Sequence, residues 1–583
     1  MSQRRKIVVI FLSAIALVGV SGWLSGWVSA YGPDYYYQVQ RNIEIFGRVY
    51  QEISKKYVEE IDPGKFMKAG IDGMLSTLDP YTVLVEKEDN QELQIMSSGK
   101  YGGLGMRIGL RGNWPTVVEP PFDGTPAIKA GIREGDRILE IDGRSTRSLT
   151  ITAVAALLRG EIGSEVFLKI EREGEDGLIE FRLIRAEIVV TDVLYSGMLQ
   201  DGIGLIRLSH FSRNAGKDVE KSIRQLKKEG VKALILDLRS NPGGLLDAAV
   251  SVSENFIDKG KLIVSTEGRT AASVQKYFSE HAPILEDLPL VVLVNGFSAS
   301  ASEIVAGAVQ DLDRGVIIGA TTFGKGLVQT VIPITGEAAL KITTAKYLVP
   351  SGRSIQDPKR FLAAPDEIIY HPARDGAEAE LEGGEPDDSN RADQASLGEP
   401  YYTAHGRPVY ASHGISPDIE ISETPLSRFE MELLRKTMPF QFAVVYAAQH
   451  PELERGFEVS EEMLDLFERF LQEKKFAYTS EAEVALDRIA SLAEENAYLA
   501  SVSNSVETIR NAILEQKSRE FELSKEFIKE ELQQEISAKL WGAKAEMEAT
   551  FDHDKSVQKA LEVLSQPERY REILGGNNGK KHR

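Results

Sequence analysis

Ala233-Leu-Ile-Leu-Asp-Leu-Arg-Ser-Asn-Pro-Gly-Gly244 opens as a near-continuous apolar run and closes in a proline-glycine turn. A strand buried on both faces reads this way, because both alternating sets of side chains meet apolar neighbours. Leu290-Val-Val-Leu-Val294 is a second such strand, and Val316–Ile318 a third. Gly204–Leu208 is a further strand, and helical stretches fall between them at Asp218–Lys228, Leu245–Phe256 and Ser302–Leu312. This alternation predicts an α/β core over residues 187–356. The turn at Pro242-Gly243-Gly244 precedes a helix. Its N–H groups suit a developing oxyanion, and a plain strand-to-helix connection is the alternative.

The second apolar strand runs into Asn295-Gly-Phe-Ser-Ala-Ser-Ala-Ser-Glu303. Ser300-Ala-Ser-Glu303 fits a capping box, in which serine and glutamate satisfy orphan N–H groups. A nucleophilic Ser300 at a helix start gains from the same N–H groups, so the two readings coexist. Ser298 and Ser302 are rival nucleophiles on local sequence alone. The loop Gly319-Ala-Thr-Thr-Phe-Gly-Lys-Gly326 nearly fits a phosphate-cradling loop, but Gly326 stands where a metal-binding hydroxyl is required. Lys325 is therefore read either as a solvated charge or as a general base. The second role requires burial without a carboxylate partner, which lowers an amine's pKa. Gln329 lies one helical turn on if that segment is helical. It could orient the amine without recharging it, or be an ordinary polar residue.

Composition narrows the classes. Lys+Arg total 68 against 88 Asp+Glu, a net charge of −20, which argues against general nucleic-acid binding. There is no cysteine, hence no disulfide, thiol nucleophile or cysteine metal site, and the eight histidines form no His-Glu-x-x-His motif. No metal or organic cofactor is expected. Arg4, Arg5 and Lys6 precede an apolar run, Ile7–Val20, and Val28-Ser-Ala30 offers a cleavage site. Residues 1–30 are read as an export signal, either cleaved or kept as a membrane anchor. The expected location is a bacterial cell envelope, periplasmic or otherwise extracytoplasmic.

Residues 31–96 show helical spacing at Ile43, Phe46, Tyr50, Ile53 and Tyr57, with a turn at Leu78-Asp-Pro-Tyr81. Residues 97–186 form a β-rich module. Tyr101-Gly-Gly-Leu-Gly-Met-Arg-Ile108 enters a strand, and Thr116–Glu119, Ile138–Ile141, a helix Ile151–Leu158 and strands Val166–Arg172 and Ile179–Ala186 follow. Order and turns resemble a PDZ domain, and Gly103, Leu104 and Gly105 match that family's carboxylate-binding loop, where backbone N–H groups hold a peptide terminus. Residues 357–412 read as an acidic insertion, mobile at Glu378–Asp388. Residues 413–424 supply a last core strand. Residues 425–575 are helical, and 576–583 a disordered tail.

Phe211, Asp237-Leu-Arg-x-Asn-Pro-Gly-Gly244, Asn295–Glu303, Phe323-Gly-Lys-Gly326, Gln329 and Pro350-Ser-Gly-Arg-Ser-Ile-Gln356 together resemble the carboxyl-terminal processing peptidases, serine family S41. The resemblance covers about residues 40–421. It implies a multidomain α/β and α+β protein, with a PDZ module placed before a crotonase/ClpP-like Ser-Lys core and helical N- and C-terminal regions. It implies Ser300 as nucleophile, Lys325 as general base, Gln329 as its orienting partner, and Ala301 with Gly243 or Gly244 as oxyanion donors. Arg159 aligns with an arginine coupling the PDZ module to the site. The expected partners are proteins with flexible apolar C-termini, a possible adaptor, and further copies of the chain as a dimer or higher oligomer. Competing readings are a non-catalytic PDZ scaffold and, by fold analogy only, an acyl-CoA hydratase or isomerase.

Overall fold

The computed structural model describes residues 33–86, 95, 98–111, 113–122, 124–172, 175, 177–335, 338–357, 400–411, 413–422, 425–496 and 499–575. The export segment 1–30, the acidic stretch Glu378–Asp388 and the tail 576–583 lie outside them. No described helix is long and apolar enough to cross a membrane. The chain divides into two compact units, Met1–Leu78 and Asp79–Arg583.

The first unit carries helices Pro33–Lys56 and Pro63–Leu75. Asp62 caps the second, accepting from the N–H groups of Gly64 and Lys65 at 2.9 and 3.1 Å. Tyr50 stacks on Phe66 at 5.6 Å. Helical spacing was expected as far as residue 96, but Val83–Val85 is a strand of the second unit.

The core of the second unit is a six-stranded sheet ordered Val193–Met198, Ile203–Leu208, Ala233–Asp237, Leu290–Val294, Val316–Gly319, Ile419–Glu420. The first pair is antiparallel and the rest are parallel. The continuous apolar runs follow from its two covered faces. Leu234, Leu236, Val292, Val294 and Ile317 pack with helices Ala215–Lys228, Leu246–Ser253 and Ala301–Asp311. Ala233, Ile235, Val291, Leu293, Val316 and Ile318 pack instead with Val557, Ala560, Leu561 and Tyr570. The second layer therefore comes from helices Lys555–Leu564 and Pro567–Ile573, which sequence had assigned to a separate C-terminal region. Tyr570 Oη accepts from Leu290 N at 3.0 Å, anchoring the last helix to the sheet.

An antiparallel sheet, absent from the sequence reading, lies beside this core. Ala339–Leu348 is its long strand, flanked by Val83–Val85, Leu262–Gly268 and Leu327–Pro333. Part of the expected insertion is also built into the core. Tyr401–Tyr402 pairs with Pro408–Val409, and Arg407 bridges Asp313 at 2.7 Å.

The PDZ-like module is a sheet of Ile108–Arg111, Trp114–Val117, Arg137–Ile141, Glu165–Glu171 and Leu178–Ile184, with helix Ile151–Leu158 across it. Its core includes Leu104, Ile138, Val154, Leu158 and Leu168. It docks on the C-terminal helices. Glu134 meets Lys539 at 2.7 Å, and Lys539 also meets Glu535 at 2.6 Å and lies over the Phe440 ring. Several carboxyls share that one lysine, and burial pushes Glu134 up to about 7.

Candidate active site

Ser300 begins helix Ala301–Asp311 with φ 55 and ψ −111. A non-glycine residue held there stores roughly 1–3 kcal/mol and marks a site whose surroundings enforce it. The enforcement is visible. Glu303, fully buried, accepts from Ser300 N at 2.7 Å, from Gly324 N at 2.7 Å, from Lys325 N at 2.9 Å and from Thr322 Oγ1 at 2.6 Å. One carboxylate thus gathers the serine turn and the lysine loop. Burial raises its pKa, and the four donated hydrogen bonds oppose that shift. Sequence had placed Glu303 only in a capping box. That half of the box is made, and it also holds the loop of residue 325.

Tyr347 supplies a second tie. Its hydroxyl lies between the carbonyl oxygens of Ser300, at 3.0 Å, and Lys325, donating to one or the other. No feature of the sequence around Tyr347 pointed to this role.

The rival serines are committed elsewhere. Ser298 Oγ donates to Leu238 O at 2.8 Å, and Ser302 Oγ donates to Asn241 O at 2.8 Å; both residues are fully buried. Ser300 is half-buried.

The amine of Lys325 lies 4.7 Å from the centroid of the Tyr81 ring. Burial brings it down to about 7; the charge of Lys341 pushes the same way, while Glu303 and Asp79 oppose. Burial also lowers Lys341, a second lysine beside the site. Among the described residues no hydrogen bond joins Ser300 Oγ to Lys325 Nζ.

Gln329 departs from expectation. It lies on strand Leu327–Pro333, opposite Thr343 and next to a register shift, and not on a helix. Its Nε2 is buried without a hydrogen-bond partner among the described residues.

The glycine turn packs directly on the serine. A Cβ on Gly243 would stand 2.8 Å from Ala301 N and 2.9 Å from Ser300 Cβ, and its φ of 98 also favours glycine. Gly243 N–H, however, donates to Asn241 Oδ1 at 2.9 Å. Among the described residues no hydrogen bond uses the N–H groups of Gly244 and Ala301. Of the two glycines left open by sequence, Gly244 has its donor available. Arg239 ties this turn to the C-terminal helices, bridging Asp237 at 2.7 Å and Asp554 at 2.7 Å.

A cleft of about 530 Å³ runs from the PDZ-like module to this turn. Gly103, Leu104 and Gly105 line one end, with Ile151 and Leu158 opposite, and Arg239, Ser240 and Pro242 line the other. Arg159 stands along it, ending helix Ile151–Leu158 and lying over the Tyr101 ring at 5.5 Å. Among the described residues no cluster of His, Asp and Glu could hold a metal ion.

Comparison with known proteins gives four matches to family models. Residues 202–366 match peptidase family S41, 117–172 a PDZ domain, 429–564 a probable PDZ-protease C-terminal helical domain, and 33–89 the N-terminal domain of the activating protease CtpB. The carboxy-terminal-processing protease of Bartonella bacilliformis is 39% identical over 331 residues, 56% of this chain and 75% of its own length. The carboxy-terminal processing protease CtpA of Bacillus subtilis is 32% identical over 354 residues, 60% of this chain and 75% of its own. Among solved structures, the photosystem II D1 C-terminal processing protease aligns at 30% identity and TM-score 0.31, over 55% of this chain and 91% of its own.

Proposed function

This chain belongs to the carboxy-terminal processing proteases of peptidase family S41, with a PDZ domain, and on that premise we propose that it cleaves proteins at flexible apolar C-termini by a Ser-Lys acyl-enzyme mechanism. The observation that carries this reading is the shared clamp: Glu303 accepts from both Ser300 N and Lys325 N, while the lysine amine is withdrawn from water.

A substrate tail adds beside the Gly103-Leu104-Gly105 loop, its terminal carboxylate on backbone N–H groups, and the chain runs along the cleft toward Pro242. Ser300 Oγ attacks the scissile carbonyl carbon, and the uncharged Lys325 amine takes the hydroxyl proton. The N–H groups of Ala301 and Gly244 hold the tetrahedral oxyanion. Lys325, now an ammonium, returns the proton to the leaving amine as the C–N bond breaks and the Ser300 ester forms. Lys325 then takes a proton from water as it attacks the ester, and returns it to Ser300 Oγ as the ester C–O bond breaks, releasing the acyl group with a new C-terminal carboxyl. Gln329 accepts from the amine through its side-chain carbonyl and adds no charge that would keep it protonated. Tail binding draws the amine from the Tyr81 ring to the serine. Export rests on Arg4, Arg5, Lys6 and the apolar run behind them.

The test is incubation with a protein bearing a flexible apolar C-terminus, followed by mass spectrometry. Truncated products and an acyl adduct on Ser300 are expected; tail binding without either leaves a non-catalytic scaffold.

Arg159→Ala is expected to lower kcat/KM on tail-bearing proteins by about tenfold, the loss of one partly desolvated cation–π contact. Thermal melting should move little. Unchanged kinetics remove Arg159 from the coupling between tail binding and cleavage.

A further inference from the structure

The Asp79-Pro-Tyr-Thr82 turn is fastened with unusual care for a connection. Asp79 Oδ1 accepts from Tyr81 N at 2.9 Å and from Thr82 N at 3.0 Å, and Oδ2 accepts from Thr82 Oγ1 at 2.8 Å. Two bonds then tie the turn to the long strand Ala339–Leu348. Thr343 Oγ1 donates to Asp79 at 3.1 Å, and Thr343 N donates to Thr82 Oγ1 at 3.1 Å. Pro80 fixes its own φ, and Val83–Val85 continues as an edge strand, with Val83 opposite Lys341. The same long strand carries Tyr347, whose hydroxyl lies between the carbonyls of Ser300 and Lys325 and donates to one of them. One strand therefore carries both the contact to the serine and lysine backbones and the bonds to the turn that bears Tyr81.

We propose that Tyr81 is a positioning residue for the proteolytic reaction: its ring, pinned through Asp79 and Thr82 to Thr343, roofs the Lys325 amine at 4.7 Å and keeps bulk water from it. The proposal rests on the reading of Lys325 as general base. A ring face attracts an ammonium by about 0.5–2 kcal/mol, which favours the charged form. The ring also buries the amine, which disfavours that form. Burial is the largest influence on Lys325, Lys341 adds to it, and Glu303 and Asp79 oppose it. The roof therefore acts mainly as a water seal. Thr343, Thr82 and Pro80 carry no charge, so the titratable neighbours that matter are Lys341, Glu303, Asp79 and Tyr81 itself.

The test is the pH dependence of kcat/KM on a protein with a flexible apolar C-terminus, for the full chain and its Tyr81 variants. The unsubstituted enzyme should show an acid limb near the Lys325 value of about 7. Tyr81→Phe keeps the ring and should reproduce that profile. Tyr81→Ala admits water and should move the limb alkaline by about one pH unit or more. Activity at pH 7 then falls about fivefold or more, with recovery at high pH. A folded Tyr81→Ala whose limb does not move, or whose activity at neutral pH rises, overturns the proposal. If that variant fails to fold, Tyr81→Val opens part of the same gap at a smaller packing loss and is read by the same limb. A missing limb in the unsubstituted enzyme defeats Lys325 as general base. A normal limb that no Tyr81 variant moves defeats only the roof.

Discussion

Replacing Ser300 with alanine is expected to abolish product formation while leaving a folded protein that still captures substrate tails. Loss of the nucleophile of a hydrolase that acts as a unit costs on the order of a hundred-thousand-fold in kcat. Folding should survive because Ser300 contributes backbone to the clamp: its N–H to Glu303 and its carbonyl to Tyr347. Alanine keeps both groups. The cost is that alanine must also adopt φ 55, so a small drop in melting temperature is expected. Lys325→Met should match the kinetic loss within an order of magnitude, since its N–H still reaches Glu303 and only the amine is gone. Peptide turnover near the unsubstituted rate by either variant excludes the pair. Ser298 and Ser302 are poor substitutes, because each hydroxyl is spent on a buried carbonyl.

Glu303→Ala should be damaging in a different way. Four donors converge on that carboxylate, from Ser300, Thr322, Gly324 and Lys325. Removing it strands buried N–H groups at about 1–3 kcal/mol each, so a destabilisation of about 3 kcal/mol or more is expected by urea unfolding. It also frees the serine turn from the lysine loop. Misplacement by about an ångström can cost a hundredfold in rate, so kcat should fall by at least that factor even in the molecules that fold. Glu303→Gln separates the two effects. It restores the volume but turns one acceptor into a donor facing N–H groups, so the fold should recover more than the rate does. Equal recovery of rate and fold confines Glu303 to packing.

Local sequence carried the parts of the site that sit on one segment. The apolar strand at Ala233 and its proline-glycine turn, the serine turn and the lone lysine were each legible from residue type and spacing. What remained hidden is long-range. Glu303 was visible as a cap, yet its bonds to Gly324 and Lys325 depend on a loop that sequence does not place. Tyr347 and the turn bearing Tyr81 are placed by a sheet whose hairpin, Leu327–Pro333 with Ala339–Leu348, local sequence announces only through Gly336 between the strands. For the same reason spacing alone leaves a helix open for Gln329, whereas it is a strand residue beside a register shift. The C-terminal helices were legible as helices, but an amphipathic face does not say what it covers. Lys555–Leu564 covers the central sheet itself. The choice between Gly243 and Gly244 turned on one side chain, Asn241, which accepts the first glycine's N–H.

The central claim is that an uncharged Lys325 amine activates the Ser300 hydroxyl, and the most direct measurement is the rate of covalent adduct formation at Ser300 as a function of pH. The adduct should form about tenfold faster per pH unit below the Lys325 value of about 7 and level off above it, and Lys325→Met should remove both the adduct and the slope. An adduct that forms at the same rate across that range, or as fast in Lys325→Met, contradicts the claim.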